Sequence, residues 1–127
     1  MARIIVIDDD GDMRAMMEQT LRSAGHEVIS AANGRDGVAL YRDCAADLVI
    51  TDLCMPIQEG LETIIELLKE FPEVNVIAMS GMTSAAVMLS MAKTLGATVV
   101  LRKPFFPEQL LSEVDKALRP KPRWSIL

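Results

Sequence analysis

Three consecutive acids, Asp8, Asp9 and Asp10, follow the aliphatic run Ile4 to Ile7 in "IIVIDDD". Like charges about 4 Å apart repel by roughly 4 kcal/mol at the effective dielectric of a protein surface. An idle cluster beside a buried strand is therefore costly, and either helix capping or a positive partner must offset it. Capping satisfies free N–H groups at a helix start and suits the helix dipole. It accounts for one acid, two at most. Further along stand Asp52 in "DLVITDLCMPIQEG", Ser80 in "VIAMSG" and Lys103 in "VLRKPF", each at the end of a short apolar run. Capping does not predict Asp52 or Lys103.

Three carboxylates without histidine suit a hard divalent cation, and Mg²⁺ takes one or two protein carboxylates together with waters and a phosphoryl oxygen. Phosphoryl transfer fits the whole set. A metal and Lys103 would neutralise charge on the transferring group, a hydroxyl such as Ser80 would donate to another of its oxygens, and a carboxylate can itself accept the phosphoryl group. Asp52 is the best candidate acceptor, because it stands alone at the end of the third run while Asp8 and Asp9 are paired and better placed to share a cation.

The elements that must position these residues follow a regular pattern. Short β-branched runs alternate with longer amphipathic stretches, the signature of βα units around a parallel sheet. Strands are predicted over Arg3 to Asp8, Glu27 to Ala31, Leu48 to Asp52, Val74 to Met79 and Thr98 to Arg102. Helical stripes fall on Met13, Met16, Met17 and Leu21; on Leu40, Tyr41 and Cys44; on Leu61, Ile64, Ile65 and Leu68; on Met88, Met91, Ala92 and Leu95; and on Leu110, Val114, Ala117 and Leu118. In an open parallel sheet the ligand site lies outside the carboxyl ends of the strands. Asp8, Asp9, Asp52, Ser80 and Lys103 all belong to that edge.

Bulk properties narrow the function classes. A chain of 127 residues, half of them hydrophobic, makes one domain with an ordinary core. The formal net charge of −5 argues against nucleic acid as a partner and favours proteins or cations. Cys44 and Cys54 make no disulfide framework, no secretory signal is evident and no apolar run approaches a membrane span, so a cytoplasmic protein is expected. The sole histidine, His26, sits at a turn and is expected to be solvated. "RPKPRWSIL" breaks the pattern after the last helix, which divides the chain into a domain over 1–119 and a tail over 120–127.

Over residues 3 to 118 the constellation closely resembles the receiver domain of two-component response regulators, the CheY-like group. That resemblance implies a doubly wound (βα)5, flavodoxin-like three-layer sandwich, with a five-stranded parallel sheet of order 2-1-3-4-5. It implies that Asp52 accepts the phosphoryl group from a sensor histidine kinase or a histidine phosphotransfer protein. By the same resemblance Asp9, Asp52 and the backbone carbonyl of Cys54 bind Mg²⁺, with Mn²⁺ able to substitute, and Asp8 acts through water. Ser80 turns toward the phosphoryl group, Lys103 pairs with it, and Lys103–Pro104 is a cis bond. Such a protein is a switch whose output runs through contact with a downstream protein, or through a phosphorylation-dependent homodimer, and it is not a turnover enzyme.

By the same resemblance Met82, Val100 and Pro104 are modulating positions. Val100 stands where family members often carry Tyr or Phe, which puts the relay to the fourth helix and fifth strand in question. Cys54 and Met82 flank the approach of the hydrolytic water and offer it poor hydrogen-bond partners, so slow loss of the phosphoryl group is expected. Glu59 replaces the usual Asp and is expected to alter little. The competing readings are a receiver-fold module that no longer switches and, less favoured, an Mg²⁺-dependent aspartyl-phosphate phosphatase. The second lacks the D-x-D of such hydrolases, since Cys54 follows two after Asp52. Phosphate-cradling glycine motifs are also absent.

Overall fold

The computed structural model describes residues 1–53, 60–81 and 85–119, the side chains of Ala85, Val87, Met88 and Leu89 excepted. Five strands, β1 (Arg3–Ile7), β2 (Glu27–Ala31), β3 (Leu48–Asp52), β4 (Val76–Ser80) and β5 (Val99–Arg102), alternate with five helices, α1 (Gly11–Ser23), α2 (Gly34–Asp43), α3 (Gly60–Glu70), α4 (Ala85–Leu95) and α5 (Pro107–Leu118). The strands form one parallel sheet of order β2-β1-β3-β4-β5, as expected.

Period-two alternation divides each apolar strand between two cores. Ile5, Ile7, Val49, Val76 and Ala78 face α2, α3 and α4 through Val38, Ile64, Leu67 and Ala92. Ile4, Val6, Leu48, Ile50, Ile77 and Met79 face α1 and α5 through Met17, Leu21, Leu110, Val114 and Ala117. Three layers result. Strands β3 and β4, covered on both faces, are buried at every residue, whereas β2 and β5 at the sheet edges are not.

The helix ends are written in local chemistry. Asp10 caps α1, its carboxylate accepting from the N–H groups of Asp12 and Met13, and Asn33 caps α2 by accepting from Asp36. At the other end of α1, Gly25 takes φ of 93°, while its N–H reaches Arg22 O and that of His26 reaches Leu21 O. This paired closure needs a left-handed residue, which glycine supplies. Proline begins α5, and the Gln109 side chain accepts from the Phe106 N–H at 2.7 Å.

Some boundaries and faces differ from the sequence expectation. The fourth strand starts two residues later, at Val76, because the Val74 N–H closes a turn onto Phe71 O. It also ends one residue later, with Ser80 paired to Arg102 inside the ladder. The first and fifth strands are each shorter by one residue. On α3 the buried face runs through Gly60, Thr63, Ile64 and Leu67, which turns Ile65 outward. On α4 Ala92 is buried while Met91 and Leu95 are exposed; the side chain of Met88 lies outside the described residues. His26 is half-buried, and its Nδ1 accepts from the Ala2 N–H at 3.1 Å, so it fastens the N-terminus instead of being merely solvated.

Candidate functional site

The carboxyl ends of β1, β3, β4 and β5 bring Asp8, Asp52, Ser80 and Lys103 to one edge. Asp8 continues directly from β1, and its N–H still donates to Ala31 O at 3.1 Å. Asp52 is the last residue of β3 and its neighbour Leu53 donates to Met79 O at 2.9 Å, so the acceptor candidate is fixed by the sheet ladder on its C-terminal side. The Lys103 N–H donates to Ser80 O at 2.9 Å, which ties the switch candidate to the lysine that follows β5. The Lys103–Pro104 bond is cis, as expected.

Charges in this edge are compensated locally. Lys103 Nζ lies 2.9 Å from Asp8 Oδ2 and 3.3 Å from Asp52 Oδ2, joining the first and third strands through one ammonium. Asp8 is fully buried, Asp52 is 5% exposed and Asp9 is exposed. Burial pulls the Lys103 ammonium downward, but its hydrogen bond to Asp8 and the charges of Asp52 and Asp8 outweigh that effect and hold its pKa above the ordinary lysine value. The repulsion anticipated for the acidic run is thus relieved in two ways. Lys103 serves Asp8, and the α1 N-terminus serves Asp10, which is the capping reading in its proper place.

One carboxylate oxygen from each of Asp8, Asp9 and Asp52 lies within 4.8 Å of the others. Opposite ligands of an octahedral Mg²⁺ stand about 4.2 Å apart, from metal–oxygen distances of about 2.1 Å. An oxygen-only set gathered this closely has the donor chemistry that such an ion takes. Both carboxylate oxygens of Asp8 are engaged: Oδ1 accepts the Asp10 N–H at 3.0 Å and Oδ2 accepts Lys103. Ser80 is fully buried at the end of β4, on the strand next to Asp52. Cys54, Met82 and Glu59 lie outside the described residues, as does the tail over 120–127. Val100 is half-buried against the core that faces α3 and α4.

Two residues of the site were not singled out by sequence reasoning. Arg14, one turn into α1, donates from Nη1 to the carbonyl of Asp8 at 2.8 Å. Its signal was a basic residue four after the capping Asp10, on the turn facing back toward the strand. Gly60 is the other: a Cβ there would overlap the Asp52 carbonyl oxygen and the Cα of Leu53. Its signal in the sequence is a glycine just ahead of the third helical stripe.

Comparison with known proteins places this geometry among relatives. The family described as response regulator receiver domain matches residues 4–115. The chemotaxis protein CheY of Thermotoga maritima is 33% identical over 115 residues, covering 90% of this chain and 95% of that one. The DNA-binding transcriptional regulator NtrC of Azospirillum brasilense is 36% identical over 117 residues, covering 92% of this chain but 24% of the regulator. Among solved structures, the chemotaxis response regulator CheY4 of Vibrio cholerae superposes with a TM-score of 0.85 at 32% identity, covering 93% of this chain and 99% of that one. The receiver domain of NtrX from Brucella abortus gives 0.88 at 29% identity, with 93% and 99% covered. The chain spans nearly all of the chemotaxis relatives and about a quarter of the transcriptional regulator.

Proposed function

The chain belongs to the response regulator receiver domain family, and from that premise we propose that it is a phosphorylation switch whose acceptor is Asp52. Receiver domains are signalling switches and not conventional enzymes, and they work with a histidine kinase or a phosphotransfer partner. The transfer breaks the N–P bond of a phosphohistidine, leaving the electron pair on the imidazole nitrogen, and forms an O–P bond to an Asp52 carboxylate oxygen. Lys103, already poised between Asp8 and Asp52, is the observation that carries this reading. It offsets the negative charge that gathers on the phosphoryl oxygens, where fixed charge in a shielded site acts most strongly.

Asp9 and Asp52, with the Cys54 carbonyl, are the residues that would hold Mg²⁺, or Mn²⁺ in its place, and Asp8 would act on it through water. The ion, when bound, supplies further neutralisation of phosphoryl charge. Ser80 donates its hydroxyl hydrogen to a phosphoryl oxygen after the transfer, and Pro104 shapes the chain that follows Lys103. Val100 modulates the relay to α4 and β5, and Cys54 with Met82 slows hydrolysis by offering water no good partner. The switching unit runs over residues 1–119 with 120–127 as a tail, works in the cytoplasm, and passes its output to a downstream protein or a phosphorylation-dependent homodimer. Among the described residues no helix is long and apolar enough to cross a membrane.

Acetyl phosphate with Mg²⁺ tests the assignment directly. Mass spectrometry of the parent protein is expected to show one added phosphoryl group, located on Asp52. Undiminished labelling of Asp52→Asn would sink it.

A further inference from the structure

Asp8 is held from four directions. Its N–H donates to Ala31 O, Oδ1 accepts the Asp10 N–H, Oδ2 accepts Lys103 Nζ, and its carbonyl accepts Arg14 Nη1 at 2.8 Å. The first three bonds belong to the sheet edge, the turn and the charged site. The fourth belongs to neither helix nor sheet. Arg14 reaches back six residues from inside α1 to the strand end that the helix left, and its guanidinium spans the turn, with Nη2 3.8 Å from where a Cβ at Gly11 would stand.

That reach matters for Asp9. It is the exposed member of the acidic trio, yet it brings a carboxylate oxygen within 4.8 Å of those of Asp8 and Asp52. Its place depends on the two residues that flank it. Asp10 is fastened by capping α1, and Asp8 by the four bonds above. Two side-chain contacts link these anchors: Asp8 Oδ1 accepts the Asp10 N–H across the turn, and Arg14, riding on the helix that Asp10 caps, bonds the carbonyl of Asp8.

We propose that Arg14 is a positioning residue for the cation: by tying the Asp8 carbonyl to α1 it holds the β1–α1 turn in the shape that presents Asp9 to the site. The proposal rests on reading Asp9 and Asp52 as Mg²⁺ ligands. It carries a sign that distinguishes it from simple electrostatics. Arg14 is itself positive, and a nearby positive charge repels a dication, so by charge alone its removal would tighten Mg²⁺ binding. By positioning, its removal loosens binding. Outer partners that orient ligating groups typically change metal affinity tenfold or more when lost.

The test is Mg²⁺ titration calorimetry on the full chain without a phosphodonor, comparing the parent with Arg14→Met and Arg14→Lys. Methionine keeps much of the stem packing while removing donor and charge; lysine keeps the charge and a donor group but loses the planar fork. Arg14→Met is expected to bind about tenfold more weakly, with Arg14→Lys between it and the parent. Equal or tighter binding by Arg14→Met overturns the proposal. Amide hydrogen exchange of the metal-free proteins supplies a second readout: Asp9 and Asp10 are expected to exchange faster in Arg14→Met while Val6 and Ile50 in the sheet keep the parent rate. Uniform acceleration marks general destabilisation and overturns the positioning role. If the parent binds no Mg²⁺, the metal reading itself fails, and unchanged exchange at Asp9 and Asp10 then overturns the Arg14 proposal separately.

Discussion

Lys103 is the residue on which the site's charge balance turns. Its ammonium serves two carboxylates that the sheet holds out of water, Asp8 and Asp52. Removing one partner of a buried ionic group typically costs about 3 to 5 kcal/mol. Solvent near Asp9 moderates that here, so Lys103→Met is expected to lower the metal-free unfolding free energy by about 2 to 3 kcal/mol at neutral pH. The pH dependence follows from the raised folded-state pKa of Lys103. Its contribution is fully present below the unfolded lysine value of about 10.4 and is lost as pH rises through the higher folded value. Denaturant unfolding of parent and variant is thus expected to differ by a constant amount from pH 6 to 9 and to converge above about pH 10.5. A gap that closed on the acid side instead would contradict this sign. Much of this was legible in the sequence, because acids and a lysine at successive strand ends have no common structural excuse. The Lys103 to Asp8 bond was not: the order of strands places two strands between the fifth and the first, and only three-dimensional packing shows that a long side chain crosses the third and fourth to reach it.

At the scale of elements, two glycines show how much helix placement depends on absent side chains. Both Gly37 and Gly60 would meet close neighbours if they carried a Cβ. At Gly37 the obstacle is the buried Ile7 side chain, through Cδ1 and Cγ1, which yields only by repacking within the core but leaves the backbone in place. At Gly60 it is the backbone of Asp52 and Leu53, which cannot move without dragging the Asp52 carboxylate with it. Overpacking typically costs about 1 to 3 kcal/mol. Gly60→Ala is expected at the upper end of that range and Gly37→Ala at the lower, by thermal or denaturant unfolding. Phosphorylation by acetyl phosphate is expected to slow in Gly60→Ala far more than in Gly37→Ala; equal rates would remove Gly60 from the site. The elements themselves were legible because β-branched runs and helical stripes have different periods. The misplaced details have definite causes. Ile65 fits a stripe by spacing, but Leu67 competes for the same face and wins with Ile64 and Gly60. Val74 looks like strand, yet its N–H is committed to a turn with Phe71.

For the molecule as a whole, the parallel sheet sets stability against function. It gathers the polar ends of β1, β3, β4 and β5 on one edge, so a chain of net charge −5 concentrates Asp8, Asp9 and Asp52 where Lys103, Arg14 and the α1 N-terminus stand against them. Two levers relieve the remaining repulsion, and they differ in kind. Monovalent salt screens every charge on the surface and acts weakly on groups that are buried. A cation bound only by the native state stabilises it by mass action, by about 1.4 kcal/mol at ten times its dissociation constant. For a domain of this size that corresponds to a rise in Tm of roughly 5 °C. Millimolar MgCl₂ is therefore expected to raise Tm well beyond NaCl at matched ionic strength. Asp9→Asn separates the two contributions, because it removes a ligand and a like charge together. Its metal-free Tm is expected to exceed that of the parent by a degree or two, the scale of an exposed charge interaction, while its Mg²⁺ shift shrinks toward the NaCl value. Differential scanning calorimetry of both proteins in the three buffers reads both effects at once. A parent whose Tm responds alike to MgCl₂ and NaCl would show that the clustered acids hold no specific cation, and the charge balance of this edge would then rest on the chain's own groups, Lys103 foremost.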